Sequence, residues 1–389
     1  MSSKLYQNNL SQRVQAMSAS QIRDVAEIGM KMDDVIPLWF GEGAWPTPTR
    51  IVNAAVDAMQ NASHKYQPNN GTVELRETIR QYCQAQFKAH CSLSQITVTP
   101  SGMQGLMLSA QLLTSPGDRV VAIEPSWPNI VGCYEAMGAD VHGVSLRAHE
   151  GRWQLDMEQL LDSLDKSTKI FIVNSPNNPT GWTLSTSEQQ QILDHCRRLG
   201  IWIVADDVYA RLYRHAAAAP SFLSIADPTD RLISVNSFSK SWSMTGWRLG
   251  WLVTPPECEV ALGQLTEFNT SCTPGFTQHA GITALREGES DIAELTQRLN
   301  AGYKATAKAL RGMSRVEFID PDGAFYAFFR VEGLNDSYQA ALNILKETKV
   351  GLAPGSAFGQ TGEGYLRLCY AQPVDVLEEA FNRLEPYLT

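Results

Sequence analysis

Residues 185–209 read STSEQQQILDHCRRLGIWIVADDVY, a helix and a strand in direct succession. Ser185 with Glu188 has the form of a capping box, Ile192, Leu193 and Cys196 mark one apolar face, and Gly200 closes the helix. The run Ile201–Ala205 that follows is apolar at every position, which suits a strand covered on both faces. Asp206 and Asp207 end it. Outward from this unit, apolar runs at Ile96–Thr99, Arg119–Glu124, Asp140–Ser145, Lys169–Asn174, Leu232–Asn236 and Arg248–Val253 alternate with helical patterns. Such alternation is the pattern of an α/β fold with a mostly parallel sheet, here of seven strands, sandwiched by helices. After about residue 290 the pattern becomes α+β: a polar helix Asp291–Leu310, strands Val316–Asp320 and Gly323–Arg330, a helix Tyr338–Thr348 and a strand Tyr365–Tyr370. Residues 1–45 lack the alternation, so the expectation is a large domain over 46–289 and a smaller one made of 1–45 and 290–389.

The chain has 389 residues and a formal charge of −9, which argues against a nucleic-acid or anionic-membrane partner, because either needs a basic surface. Its seven cysteines are scattered and never form C-x-x-C, so neither a disulfide framework nor a metal site is expected. No apolar run approaches the ~20 residues of a membrane-spanning helix. The expected location is the cytoplasm.

The chemistry gathers where strands end, the place at which open parallel sheets hold ligands. Ser237 to Arg248, SFSKSWSMTGWR, places Lys240 between hydroxyls and an arginine eight residues on. An ordinary lysine, with a pKa near ~10.4, is a poor nucleophile at neutral pH, so this one needs desolvation or a cationic neighbour. Asp206, at a strand end, can salt-bridge a protonated ring nitrogen; Asp207 is its rival, but strand alternation sends only one of them to a ligand. Asn178 and Tyr209 can hydrogen-bond a phenolic oxygen. Ser101, Gly102 and Met103 open an apolar helix whose N–H groups, with the hydroxyls of Ser101, Ser237 and Ser239 and the guanidinium of Arg248, suit a phosphate. Trp127 can stack on an aromatic ring. Arg367, on the last strand, suits an α-carboxylate by bidentate pairing and can draw two domains together. Together these parts suggest pyridoxal-phosphate (PLP) chemistry on amino acids.

With these motifs, and with Gly41-Glu42, Thr47-Pro48, Tyr66-Gln-Pro-Asn-Asn-Gly71 and Leu75-Arg76, the chain resembles the fold-type I, class I/II PLP-dependent aminotransferases over nearly its whole length. The resemblance implies that Lys240 is the Schiff-base lysine that also moves the substrate's Cα proton, and that Asp206 is the pyridinium partner. Asn178 and Tyr209 then bind the phenolic oxygen, and Trp127 stacks on the ring. Ser101, Gly102, Met103, Ser237, Ser239 and Arg248 form the phosphate cup, and Gly41, Trp127, Asn178 and Arg367 bind the substrate. Tyr66 matches a tyrosine that reaches the neighbouring subunit's phosphate, which implies a homodimer with shared active sites.

The family often reads Gly-Glu-Pro-Asp where this chain has Gly41-Glu42-Gly43-Ala44-Trp45. Trp39, Phe40 and Trp45 nearby, and the lack of Lys or Arg along Met103–Leu113, lean towards a neutral or aromatic amino donor. The expected reaction is ping-pong transamination between an L-amino acid and a 2-oxo acid. The alternatives are a PLP-dependent C–S β-lyase on the same fold, disfavoured by Met-Thr-Gly-Trp-Arg after the lysine and by Tyr209, and a non-catalytic PLP-binding regulator, which would need an additional DNA-binding module and which the acidic charge disfavours.

Overall fold

A computed structural model describes residues 10–17 and 19–389. Its large sheet contains seven strands: Ile96–Thr99, Arg119–Glu124, Asp140–Ser145, Thr168–Asn174, Trp202–Asp206, Leu232–Ser237 and Gly250–Val253. In space they lie in the order 96–99, 250–253, 232–237, 202–206, 168–174, 119–124, 140–145. Strand 250–253 runs antiparallel to both neighbours, and the other pairs are parallel. This strand starts at Gly250 rather than Arg248, because Arg248 has φ +53°, a left-handed backbone that an extended ladder does not admit.

Alternation along each strand divides the core into two layers. Val120, Ala122, Ile170, Ile172, Val204 and Leu252 cluster with residues of helices Gly102–Leu113, Pro128–Ala136 and Glu259–Asn269. Val121, Ile123, Phe171, Val173, Ile203 and Trp251 face the other way, towards helices Val73–Phe87 and Thr186–Leu199. Each of the valine, leucine, isoleucine and phenylalanine side chains contributes on the order of 1.5–3 kcal/mol by leaving water. Helix Thr186–Leu199 is capped as its sequence indicates: Glu188 donates its N–H to Ser185 Oγ at 3.3 Å, and its carboxylate accepts the Ser185 N–H at 2.7 Å. Gly200 ends it with φ +73°.

A second sheet is antiparallel, in the order 316–317, 326–331, 365–369, 353–354. Helices Glu289–Gly312, Ser337–Thr348 and Val374–Leu388 accompany it. The last was not anticipated, although Leu377, Ala380, Phe381, Leu384 and Leu388 make one buried helical face. The N-terminal segment joins this unit. Helix Gln21–Gly29 packs on Ser337–Thr348, and Ile36–Pro37 pairs in parallel with Val350–Gly351. The chain then crosses to the large sheet, where Thr47 Oγ1 donates to the Ser243 carbonyl at 2.6 Å and accepts from Trp247 Nε1 at 2.9 Å. Among the described residues no helix is long and apolar enough to cross a membrane.

Candidate active site

The carboxyl ends of the strands open on a cavity of about 350 Å³ between the two sheets. Twelve of the fourteen residues assigned to the site from the sequence line it: Gly41, Gly102, Met103, Trp127, Asn178, Asp206, Tyr209, Ser237, Ser239, Lys240, Arg248 and Arg367. Ser101 sits just behind, its hydroxyl capping helix Gly102–Leu113 by accepting the Gln104 N–H at 3.1 Å. Tyr66 does not reach this cavity; its side chain is 89% exposed on the surface.

Lys240 follows strand 232–237 by three residues and donates from Nζ to the Gly41 carbonyl at 2.6 Å. The rings of Tyr209 and Phe325 flank the amine, each centroid 5.9 Å away. Burial pulls its pKa down to about 8; Cys369 and Glu42 resist the shift, while Arg367 and Arg248 add to it. Roughly a tenth of the amine is therefore neutral near pH 7, far more than for an ordinary lysine, and a nucleophile or base requires that form.

Asp206 ends its strand almost fully buried and accepts one hydrogen bond, from the Val208 N–H at 3.2 Å. Burial pushes it up to about 7, reinforced by the charge of Asp207, with Lys240 acting in the opposite sense. Asp207 points away from the cavity and accepts from Ser234 Oγ at 2.7 Å and Ser221 Oγ at 3.0 Å. Alternation thus leaves Asp206 alone facing the ligand space, with no ion-pair partner among the described residues.

Arg367 is 2% exposed, yet no carboxylate among the described residues pairs with it. It donates to Asn178 Oδ1 at 3.0 Å and to the Trp39 carbonyl, stacks 4.5 Å from the Tyr326 ring centroid, and leaves its buried Nε without an acceptor. A buried guanidinium with no counter-ion is costly unless a ligand completes it, and its fork matches a carboxylate.

These groups fit PLP. Asp206 supplies an unpaired buried acid for a ring N–H. At the other end, the N-terminus of helix 102–113 meets Ser237 and Ser239, whose hydroxyls are 3.0 Å apart, and Arg248. That donor set suits a phosphate dianion. Gly102 permits the close approach, since a Cβ there would lie 3.1 Å from Ser237 Cβ and 3.2 Å from Val208 Cγ1.

Of the cavity residues that the sequence reading did not single out, three bear most on the site. Tyr326 opens strand Tyr326–Val331, with its hydroxyl 2.7 Å from that of Tyr209, and a Cβ at Gly41 would lie 1.9 Å from it, so position 41 must be glycine. Asn174 lies beneath the site: it donates to the Asp206 carbonyl at 3.0 Å, and its Oδ1 accepts the Asn178 N–H at 2.7 Å. Arg23 comes from the N-terminal helix. Of the three aromatics taken as pocket candidates, only Phe40 lines this cavity. Trp39 is 2% exposed because its ring fills the space left by Gly29 and Gly351, and Trp45 faces an adjoining outer cavity.

A family model described as aminotransferase class I and II matches residues 34–384. Aspartate aminotransferase of Pyrococcus horikoshii is 33% identical over 383 residues, 97% of each chain. Aromatic-amino-acid aminotransferase 2 of Thermococcus litoralis is 30% identical over 388 residues, 97% of this chain and 98% of that one. Among solved structures, aspartate aminotransferase from Thermotoga maritima superposes with a TM-score of 0.90 at 32% identity, covering 97% of this chain and 100% of that one. A parallel sheet with a desolvated lysine at its carboxyl edge, in this setting, defines a PLP enzyme of fold type I. The chain belongs to the class I and II aminotransferase family and is a PLP-dependent transaminase.

Proposed function

We propose that this transaminase works by a ping-pong mechanism in which one cavity serves both an L-amino acid, of neutral or aromatic side chain, and a 2-oxo acid. The observation that carries the reading is the uncompensated guanidinium of Arg367 lining the same cavity as the amine of Lys240. Arg367 binds the α-carboxylate, with Asn178 holding the guanidinium in plane and Tyr326 covering its face. The bound substrate's Cα is then presented to Lys240 Nζ, which moves the proton off that carbon. Asp206 holds the proton on the ring nitrogen, and Tyr209 with Asn178 serves the phenolic oxygen. PLP, when bound, supplies the electron sink and carries the amino group between the half-reactions. Phe40, Met103, Leu106 and Trp127 give the side-chain space apolar walls, which supports the neutral or aromatic donor.

A homodimer accounts for the surface beside the site. Tyr66 is 89% exposed and Phe268 84% exposed, yet the Tyr66 loop is anchored: Gln67 donates its N–H to Cys272 Sγ at 3.3 Å, and Asn69 Nδ2 donates to the Gly263 carbonyl at 3.1 Å. An ordered loop presenting a bare aromatic ring suits a second copy, into whose phosphate cup Tyr66 reaches. We further assign residues 46–289 to a PLP-binding domain and 1–45 with 290–389 to a small domain that closes on substrate, and we place the enzyme in the cytoplasm.

The deciding test is the visible spectrum of the purified protein, loaded with PLP and titrated with single amino acids without an oxo acid. Neutral or aromatic amino acids should convert the yellow lysine-bound form to the aminated one, with a 2-oxo acid as the organic product. Pyruvate and ammonia from a cysteine conjugate with no acceptor present would instead establish a β-lyase. In the same assay Arg367→Met should lower kcat/KM by about 10- to 100-fold, mainly through KM, since it removes a charge-assisted pair from a buried carboxylate. Equal KM values for variant and parent would remove Arg367 from the substrate site.

A further inference from the structure

Cys83 and Cys91 belong to no C-x-x-C pattern and line no part of the active-site cavity, yet the fold brings their sulfurs together. Helix Val73–Phe87 ends at Lys88, whose φ of +59° turns the chain back, and Ala89 donates its N–H to the Cys83 carbonyl at 3.3 Å. The residues that follow lie against the last turn of the helix, so the two thiols, both free, are within hydrogen-bonding reach of each other. Cys83 is fully buried. Cys91 is half-buried and lines a surface cleft of about 40 Å³ together with Ala89, His90, Gln95 and Pro228.

The two sulfurs differ as a reactive thiol and its resolving partner must. The hydrogen bond with Cys83 pulls the Cys91 thiol down, and the Arg80 guanidinium acts in the same sense, against burial and the charge of Glu77. Glu77 accepts from Arg80 at 2.6 and 2.8 Å, so that cation is shared between the carboxylate and the sulfur. The contact with Cys91, and then burial, pushes the Cys83 thiol well up, so it keeps its proton and remains the donor. Burial also drives up the thiols of Cys133, Cys196 and Cys258, which makes them inert. A thiolate is the form that attacks an oxidant, and a reachable cysteine of lowered pKa beside a second thiol is the arrangement that oxidises reversibly. The cleft sets the size of that oxidant. One water needs on the order of 10–15 Å³, so a space of about 40 Å³ admits hydrogen peroxide whole.

We propose that Cys91 and Cys83 form a peroxide-reactive site that closes to a reversible disulfide. The Cys91 thiolate attacks one oxygen of hydrogen peroxide and the O–O bond breaks, which leaves a sulfenic acid on Cys91 and, once the departing hydroxide takes a proton, one water. The Cys83 sulfur then attacks the Cys91 sulfur, the S–O bond breaks, and the hydroxyl leaves with the Cys83 proton as a second water. Two thiols thereby give two electrons to one peroxide, and a dithiol reductant reverses the bond by exchange. The disulfide fastens the last turn of helix Val73–Phe87 to the segment that leads into the edge strand Ile96–Thr99. This site is independent of the transaminase reading.

The test treats the reduced full-length protein with hydrogen peroxide, quenches with acid, alkylates under denaturing conditions and maps the cysteines by mass spectrometry. The parent protein should lose two alkylatable thiols together, recovered as one cross-linked pair of peptides carrying Cys83 and Cys91, and dithiothreitol should restore both. Cys83→Ala should leave Cys91 as a sulfenic acid that dimedone captures. Cys91→Ser, a change at the half-buried position, should slow the loss of the Cys83 thiol by about tenfold or more, because the reachable thiolate is gone. Oxidation of the other cysteines ahead of this pair overturns the proposal. So does conversion of Cys91 to sulfinic acid in the parent while Cys83 stays alkylatable. Both of these results are read on the parent protein, so the decision does not hang on how well a variant folds.

Discussion

Lys240→Ala is expected to reduce both half-reactions by on the order of 10⁴-fold or more, because one side chain performs two functions that no neighbour can assume. Among the described residues it is the only amine lining the cavity, and burial holds it down to about 8, so it can serve both as nucleophile and as base. The other cations there, Arg23, Arg248 and Arg367, are arginines, whose guanidinium is not a general base. The loss should be chemical rather than structural. Alanine removes one hydrogen bond, Nζ to the Gly41 carbonyl, and takes a disfavoured charge out of a buried site, so the melting temperature should not fall. Parallel measurement of the melting curve and of the yellow-to-colourless conversion with an amino acid checks both halves. A folded Lys240→Ala protein that still turns over near the parental rate would remove Lys240 from the reaction. Lys240→Arg should be as inactive as the alanine variant, since its charge is retained but its proton cannot be given up.

The large sheet was legible in the sequence because a strand covered on both faces has an uninterrupted apolar run, as Ile201–Ala205 does, and because the cap residues Ser185 and Gly200 act locally. The site residues fixed to strand ends were legible for the same reason: position on a parallel sheet predicts where Asp206, Asn178 and Lys240 meet. What escaped came through non-local contacts. Tyr326 reads as one more aromatic in a buried strand until its hydroxyl is seen against Tyr209 and Gly41. Trp39 looked like a pocket wall by proximity to Gly41, but the partners that bury its ring, Gly29 and Gly351, lie ten residues before it and more than three hundred after it. Arg23 was invisible because no periodicity in residues 1–45 says which cavity a nine-residue helix will border. The short strands 36–37 and 350–351 are likewise defined only by each other.

Asp206→Asn is expected to move activity and stability in opposite directions. On the proposed reading the carboxylate would hold a proton on the ring nitrogen of bound PLP through a buried ion pair, and breaking such a pair costs roughly 3–5 kcal/mol, so kcat should fall by about 10²- to 10⁴-fold. In the cofactor-free protein the same carboxylate is a burden. Burial raises it from 3.8 to about 7, so the folded state binds the proton more tightly than the unfolded chain does. Its contribution to stability is therefore lost progressively as pH rises from about 4 to 7, and above 7 the full cost of a buried, unpaired anion is present. Asparagine keeps the acceptor for the Val208 N–H without that charge. Cofactor-free Asp206→Asn should accordingly be more stable than the parent at pH 8 by on the order of 2–4 kcal/mol, and equal to it near pH 4. Urea unfolding at the two pH values measures this directly. A difference independent of pH would mean that the carboxylate is not held in the desolvated state the geometry describes. The position thus gives up stability in the empty protein for charge placed where the cofactor needs it, which explains why the strand ends in an acid that its own surroundings do not satisfy.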